Sequence, residues 1–153
     1  MKTKISLLAA LLMLGIASAQ QNLNYRTKQF NLDKGVALSG YDPVSYFLKN
    51  PKEGSKTYVF TQDGVKYYFA NAANLETFKK NPAAYEPQYG GWCAYAMGAK
   101  GEKVEVDPET YKIVEGKLYL FYNRLFNNTL TDWNKDESNL KKKADANWMK
   151  LVK

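Results

Sequence analysis

The stretch KTYVFTQDGVKYYFA, Lys56 to Ala70, limits the fold more than any other part of the chain. Two runs rich in Tyr, Val and Phe flank Asp63-Gly64, a favoured two-residue hairpin turn. Tyr58 and Phe60 alternate on one strand; Val65, Tyr67 and Phe69 alternate on the other. A second hairpin is expected further on, with strands Tyr111–Val114 and Lys117–Tyr122 around a turn at Glu115-Gly116.

Helical signals lie between and after the hairpins. Asp42 at an N-cap position and Pro43 at the first helical position predict a short helix from Pro43 to Leu48. Asn71 or Asn74 caps a helix that carries Leu75 and Phe78 and is limited by Pro82. GGWCAYAMGAKG reads as a short helix between glycine breaks. Leu125, Phe126, Leu130 and Trp133 are placed near one face of a further helix, and Leu140, Ala144, Trp148 and Leu151 on the stripe of a last one. Asp42-Pro43, Asn81-Pro82 and Asp107-Pro108 each open a [DN]-P-x-x-Y pattern, read as three helical-turn starts with Tyr46, Tyr85 and Tyr111 against the core; the unequal spacing excludes a repeat architecture. The fold class is therefore α+β: a small antiparallel sheet from β-hairpins packed with short helices, with a helical C-terminus. A chain of 153 residues suits one such domain, and 12 Tyr predict a core whose margins carry many phenols.

The N-terminus reads as an address. Lys2 and Lys4 precede an uncharged apolar run, Ile5 to Ile16, and Ala17-Ser18-Ala19 supplies small residues for cleavage after Ala19. A run of about 12 residues is shorter than the roughly 20 that a span needs. The expected organisation is a signal peptide at 1–19, a loose arm with a short strand at 20–35, and a domain with C-terminal helices at 36–153. The protein is expected to be exported, periplasmic or secreted, with no transmembrane segment after cleavage. Losing Lys2 and Lys4 takes the formal charge from +7 to +5. Export argues against nucleic acid as a partner, and Lys141–Lys143 reads as a solvated helix face.

The chain has no His and one Cys. That removes Ser-His-Asp and Cys-His catalysis, every His metal site and any internal disulfide. Cys93 then has three readings. It packs as a small hydrophobe. It binds a soft metal such as copper together with Met97, one helical turn away. Or it reacts, its pKa lowered at a helix N-terminus behind Gly90-Gly91. Tyr41, Tyr68, Tyr89 and Trp92 are candidates, with Cys93, for an aromatic pocket; a cleft beside Gly90-Gly91 is the place to look for it. Asn127-Asn128-Thr129 matches a glycosylation sequon.

The order of these elements resembles the YHS-domain family. The residues that carry the resemblance are GYDPVSYF (Gly40–Phe47), VKYYFANAANLETFKKNPAAYEPQYGGWCAYAM (Val65–Met97) and DPETYKIVEGKLYLFYN (Asp107–Asn123). The closing ADANW, Ala144–Trp148, looks like the end of exported, stand-alone members. The resemblance implies a small α+β domain built on a hairpin followed by a helix. It also implies an association with metal handling in some relatives, which carry cysteines after the D-P-V motif and after the second hairpin strand. This chain has Ser45 and Ala70 there, so neither position supplies a thiolate. The expected function is a non-catalytic binding module for a metal ion or small ligand near Trp92-Cys93. The rival classes are a thiol-dependent enzyme using Cys93 and a purely structural or partner-binding domain.

Overall fold

The computed structural model describes residues 25–152; the signal-peptide reading and residues 20–24 of the arm lie outside them. The fold is α+β, as the local signals require. The first hairpin forms as β3 (Ser55–Gln62) and β4 (Val65–Phe69), with Gln62 opposite Val65 and both Asp63 and Gly64 left-handed. Its buried face is the one expected, since Val65, Tyr67 and Phe69 are fully buried. Two short strands, β1 (Leu32–Asp33) and β2 (Val36–Ala37), complete a sheet of order β1-β2-β4-β3. β2 runs parallel to β4, so this sheet is mixed rather than wholly antiparallel. The second hairpin is β5 (Asp107–Val114) and β6 (Lys117–Phe121).

Helix α1 (Ala72–Lys80) starts where its cap predicts: the Asn71 side chain accepts from the Asn74 N–H. It lays Phe78 on the sheet, within ring contact of Phe60, Tyr67 and Phe69. A single turn, α2 (Pro82–Tyr85), and the helix α3 (Ala94–Ala99) lead to the second hairpin. The chain ends in α4 (Thr129–Lys135) and α5 (Glu137–Leu151). α3 and α5 touch backbone to backbone, because a Cβ at Gly98 would lie 2.5 Å from the Leu140 carbonyl oxygen. The core has two parts. One gathers the first sheet with Phe78 and Cys93; the other gathers Tyr89, Met97, Tyr119, Phe121 and Trp133 under α5.

Four local expectations are corrected. Residues 43–49 form overlapping turns rather than a helix, with i→i+3 bonds such as Phe47 N–H to the Val44 carbonyl. The turns are held from outside by Asp42. Its carboxylate is fully buried and accepts from the Val44 N–H (2.8 Å), the Ala70 N–H (2.9 Å) and the Asn74 amide (2.6 Å). Asp107 opens a strand irregularity rather than a helical turn, its carboxylate accepting from the Glu109 N–H and the Thr110 hydroxyl. Leu125 and Phe126 are not on a buried helix face. They form the fully exposed tip of a small hairpin, β7 (Asn123–Arg124) with β8 (Asn127–Asn128), because Asn128 caps α4 and starts the helix after them. Finally, the described part of the arm is not loose. Residues 25–29 are helical, and Arg26 forms an ion pair with Glu86.

Burial and satisfaction of the phenols account for part of the tyrosine content. The hydroxyls of Tyr46, Tyr67 and Tyr89 donate to the Pro108 carbonyl, Glu86 and Asp145 at 2.8, 2.9 and 2.9 Å. Burial is the leading cause that raises all three pKa values, and nearby carboxylates add to it. The folded state therefore keeps protons that the unfolded chain loses above about pH 10. Their contribution to stability is fully present below that pH and is lost as pH rises past it. Each phenol steepens the loss by about 1.4 kcal/mol per pH unit. Urea unfolding across pH 9 to 12 checks this, and replacing Tyr46 by Phe should flatten the slope by one phenol. Asp42→Ala strands two donors outside its own turn and should cost about 3 kcal/mol in the same assay at neutral pH.

Candidate functional site

The turn ahead of Cys93 sets the local geometry. Tyr89, Gly90 and Gly91 all take left-handed backbone, with φ of 53°, 61° and 87°. For Tyr89 that conformation costs about 1–2 kcal/mol. It is offset by burial of the ring in the second core and by the bond to Asp145. Gly90 is required for space as well as for φ. A Cβ there would lie 2.9 Å from Phe30 Cδ1, and the Gly90 carbonyl accepts from the Asn31 N–H at 2.9 Å. The N-terminal segment is thus laid across the turn as a strap. Trp92 sits under it, its indole N–H donating to the Gln29 carbonyl at 2.6 Å. Lys103 lies 5.8 Å from the Trp92 ring centre and bonds the Gln29 side chain; burial lowers its pKa.

Cys93 is fully buried and precedes α3. The Thr129 hydroxyl gives its one proton to the Tyr122 carbonyl (2.9 Å), so in the 3.4 Å contact between sulfur and Thr129 oxygen the thiol is the donor. The sulfur also accepts from the Tyr122 N–H at 3.4 Å. These contacts tack the start of α3, the residue after β6 and the start of α4 together. Cys93 and Met97 occupy different parts of the core, Cys93 with the first sheet and Met97 with Trp133 and Leu140. Among the described residues no group of three His, Cys, Asp or Glu side chains could hold a metal ion. A Cys93–Met97 copper pair would need the core to reopen. A pocket of about 210 Å³ does lie over Cys93 and Thr129, walled by Tyr95 and Tyr122 with Lys100 and Glu102.

The five proposed aromatic and thiol residues do not converge. Tyr41 donates to Glu109 at 2.9 Å, and burial followed by that bond pushes its pKa up to about 12. Tyr68 lines a depression with Ser39, Gly40 and Lys56. Trp92 is roofed by the strap, Cys93 floors its own pocket, and Tyr89 lines a third. That third pocket is the aromatic cleft beside Gly90. It measures about 410 Å³, and Phe30, Tyr89 and Trp148 supply its rings. The Trp148 ring centre lies 6.4 Å from that of Phe30 and 6.4 Å from that of Tyr89, at interplanar angles of 52° and 66°. Glu86, Asp145 and Lys117 supply its charged groups.

The cleft has the position expected from the glycine pair but mostly other residues. Phe30 comes from the N-terminal arm and Trp148 from the apolar stripe of α5. The available signal was the i, i+3 spacing of Asp145 and Trp148, which puts both on one face of α5. A depression of about 430 Å³ beside α5 shares Asp145 with the cleft, and Lys141 and Glu137 in its lining are paired with Glu115 and Lys112. No family model, curated protein or solved structure matches the chain.

Iodoacetamide should label Cys93 in the folded protein at least about 100-fold more slowly than in the urea-unfolded chain. Rates within tenfold of each other would show that the sulfur is reachable and return the nucleophile reading.

Proposed function

We propose that this is an exported, non-catalytic binding domain of the YHS kind that takes a small ligand in the cleft formed by Phe30, Tyr89 and Trp148. The observation that supports the reading is the cleft itself: about 410 Å³ with three aromatic walls and a few charged groups at its margin. Small-molecule sites set aromatic walls beside a small number of placed polar groups, and this cleft has both, its lining about equally polar and apolar. The walls come from three distant parts of the chain, and each is held by contacts within the protein. Phe30 is held over Gly90 with Arg26 stacked 4.6 Å from its ring centre, Tyr89 by Asp145, and Trp148 by the packing of α5. Such a site is formed before the ligand arrives, which lowers the ordering cost of binding.

A non-catalytic role fits the chemistry. With no His in the chain, the groups at the cleft are two carboxylates and a lysine, and one carboxylate is neutralised by Arg26. Nothing there pairs a nucleophile with a base. The thiol of Cys93 lies in another pocket with its proton committed to Thr129. Export follows from the tripartite N-terminus, and N-terminal sequencing of the protein recovered from its host should begin at Gln20.

A screen of small organic fragments, read by amide chemical shifts, tests the assignment of the site. Binders should shift Tyr89, Gly90 and the Trp148 indole. The Gly90→Ala variant, whose Cβ drives Phe30 outward, and Trp148→Leu, which leaves the backbone alone, should each weaken those binders about tenfold or more. Shifts centred on Thr129 and Tyr95 instead would move the site to the pocket over Cys93.

A further inference from the structure

We infer that the cleft takes a small zwitterion of the betaine type, with its methylated ammonium among Phe30, Tyr89 and Trp148 and its anionic end at Lys117; this rests on the reading of the cleft as the ligand site. The charges that line the pocket decide the class. Glu86 is spent, since both its carboxylate oxygens are engaged by the Arg26 guanidinium and one also accepts from Tyr67. Asp145 and Lys117 are exposed, and among the described residues neither takes part in an ion pair. Lys141, one turn before Asp145, is committed to Glu115. One open negative and one open positive charge thus border the same cavity.

The rings give the two charges different surroundings. Tyr89 hydrogen-bonds Asp145 directly, so the open carboxylate lies at the aromatic wall. Trp148 is three residues from Asp145 on the same helix, again on that side. Aromatic faces attract ammonium groups, and methylated ones best tolerate the loss of water there. Phe30 already holds a cation in this way, with Arg26 on its ring. Rings inclined at 52° and 66° to Trp148 offer faces in more than one direction, which suits a round trimethylammonium group better than a flat one. Lys117 lines the same cavity from the start of β6, a different element, and supplies the positive charge for an anionic group on the ligand.

Glycine betaine and its carbon isostere 3,3-dimethylbutanoate differ only in the charged nitrogen, and choline keeps the ammonium without the carboxylate. Each is titrated into the intact protein while the Trp148 indole and Tyr89 signals are followed. Betaine should bind at least about tenfold more tightly than the isostere, and Asp145→Asn or Trp148→Leu should shrink that ratio. Lys117→Met should weaken betaine and leave choline unchanged. Equal binding of betaine and the isostere would overturn the ammonium assignment while leaving the cleft as a site. Choline binding as tightly as betaine would overturn the role of Lys117. If none of the three moves these signals, the ligand class is wrong; if the fragment screen is also silent at Tyr89 and Trp148, the reading of the cleft fails with it. Thermal melting of each variant separates lost contacts from lost fold.

Discussion

The buried carboxylate of Asp42 is the point on which the end of the first hairpin and the helix beside it depend. It accepts from the turn that follows it, from Ala70 where β4 ends, and from Asn74 in the first turn of α1. A buried charge is tolerated only when its lone pairs are met, and here three donors from three segments meet them. Ser45 extends the arrangement, donating to the Asp42 carbonyl and accepting from the Lys52 N–H. With the hairpin and α1 fixed to one anion, Phe78 has a defined seat among Phe60, Tyr67 and Phe69. Ser45 and Ala70, on either side of this corner, both bond Asp42. In this chain that corner is closed by hydrogen bonds.

The strap depends in turn on the sheet. Its strands β1 and β2 add to β4, and its helical turn reaches Glu86 and the Gln29–Trp92 contact. Tyr67 and Arg26 share Glu86, so the hairpin and the strap are joined through one carboxylate. The cleft therefore inherits its rigidity from packing far from its mouth. Phe30 stands where it does because residue 90 has no side chain.

What was legible in the sequence was local. Asp63-Gly64 and Glu115-Gly116 announce their turns by residue type, and Asn71 announces its helix by a cap three residues ahead of a bonded N–H. Spacing misled where an outside contact decided the outcome. Phe126 has helical spacing to Leu130, yet Asn128 caps the helix and leaves Leu125 and Phe126 outside. Pro43 has the right place to open a helix, yet the segment is held as turns by bonds to Asp42 and by the Asn50 N–H to the Ser45 carbonyl. Cys93 was read correctly as a candidate for packing, but its partners, Thr129 and Tyr122, lie 36 and 29 residues away. The cleft lies beside Gly90, while two of its three rings come from residues 30 and 148, and no pattern within a short window connects them.

The exposed tip at Leu125-Phe126 marks the seam of the molecule. On one side of it lies every strand of the two larger sheets; on the other lie α4 and α5. Those helices are held by Trp133, Leu140 and Ala144, all buried against residues from before the tip. Covalent continuity across the tip is thus a separate matter from cohesion across it. A chain opened there, by a protease or by moving the termini, would have its new ends in solvent and its two fragments still facing a shared interior. The hairpin is the natural place to divide this protein into complementary halves or to graft a sequence onto it.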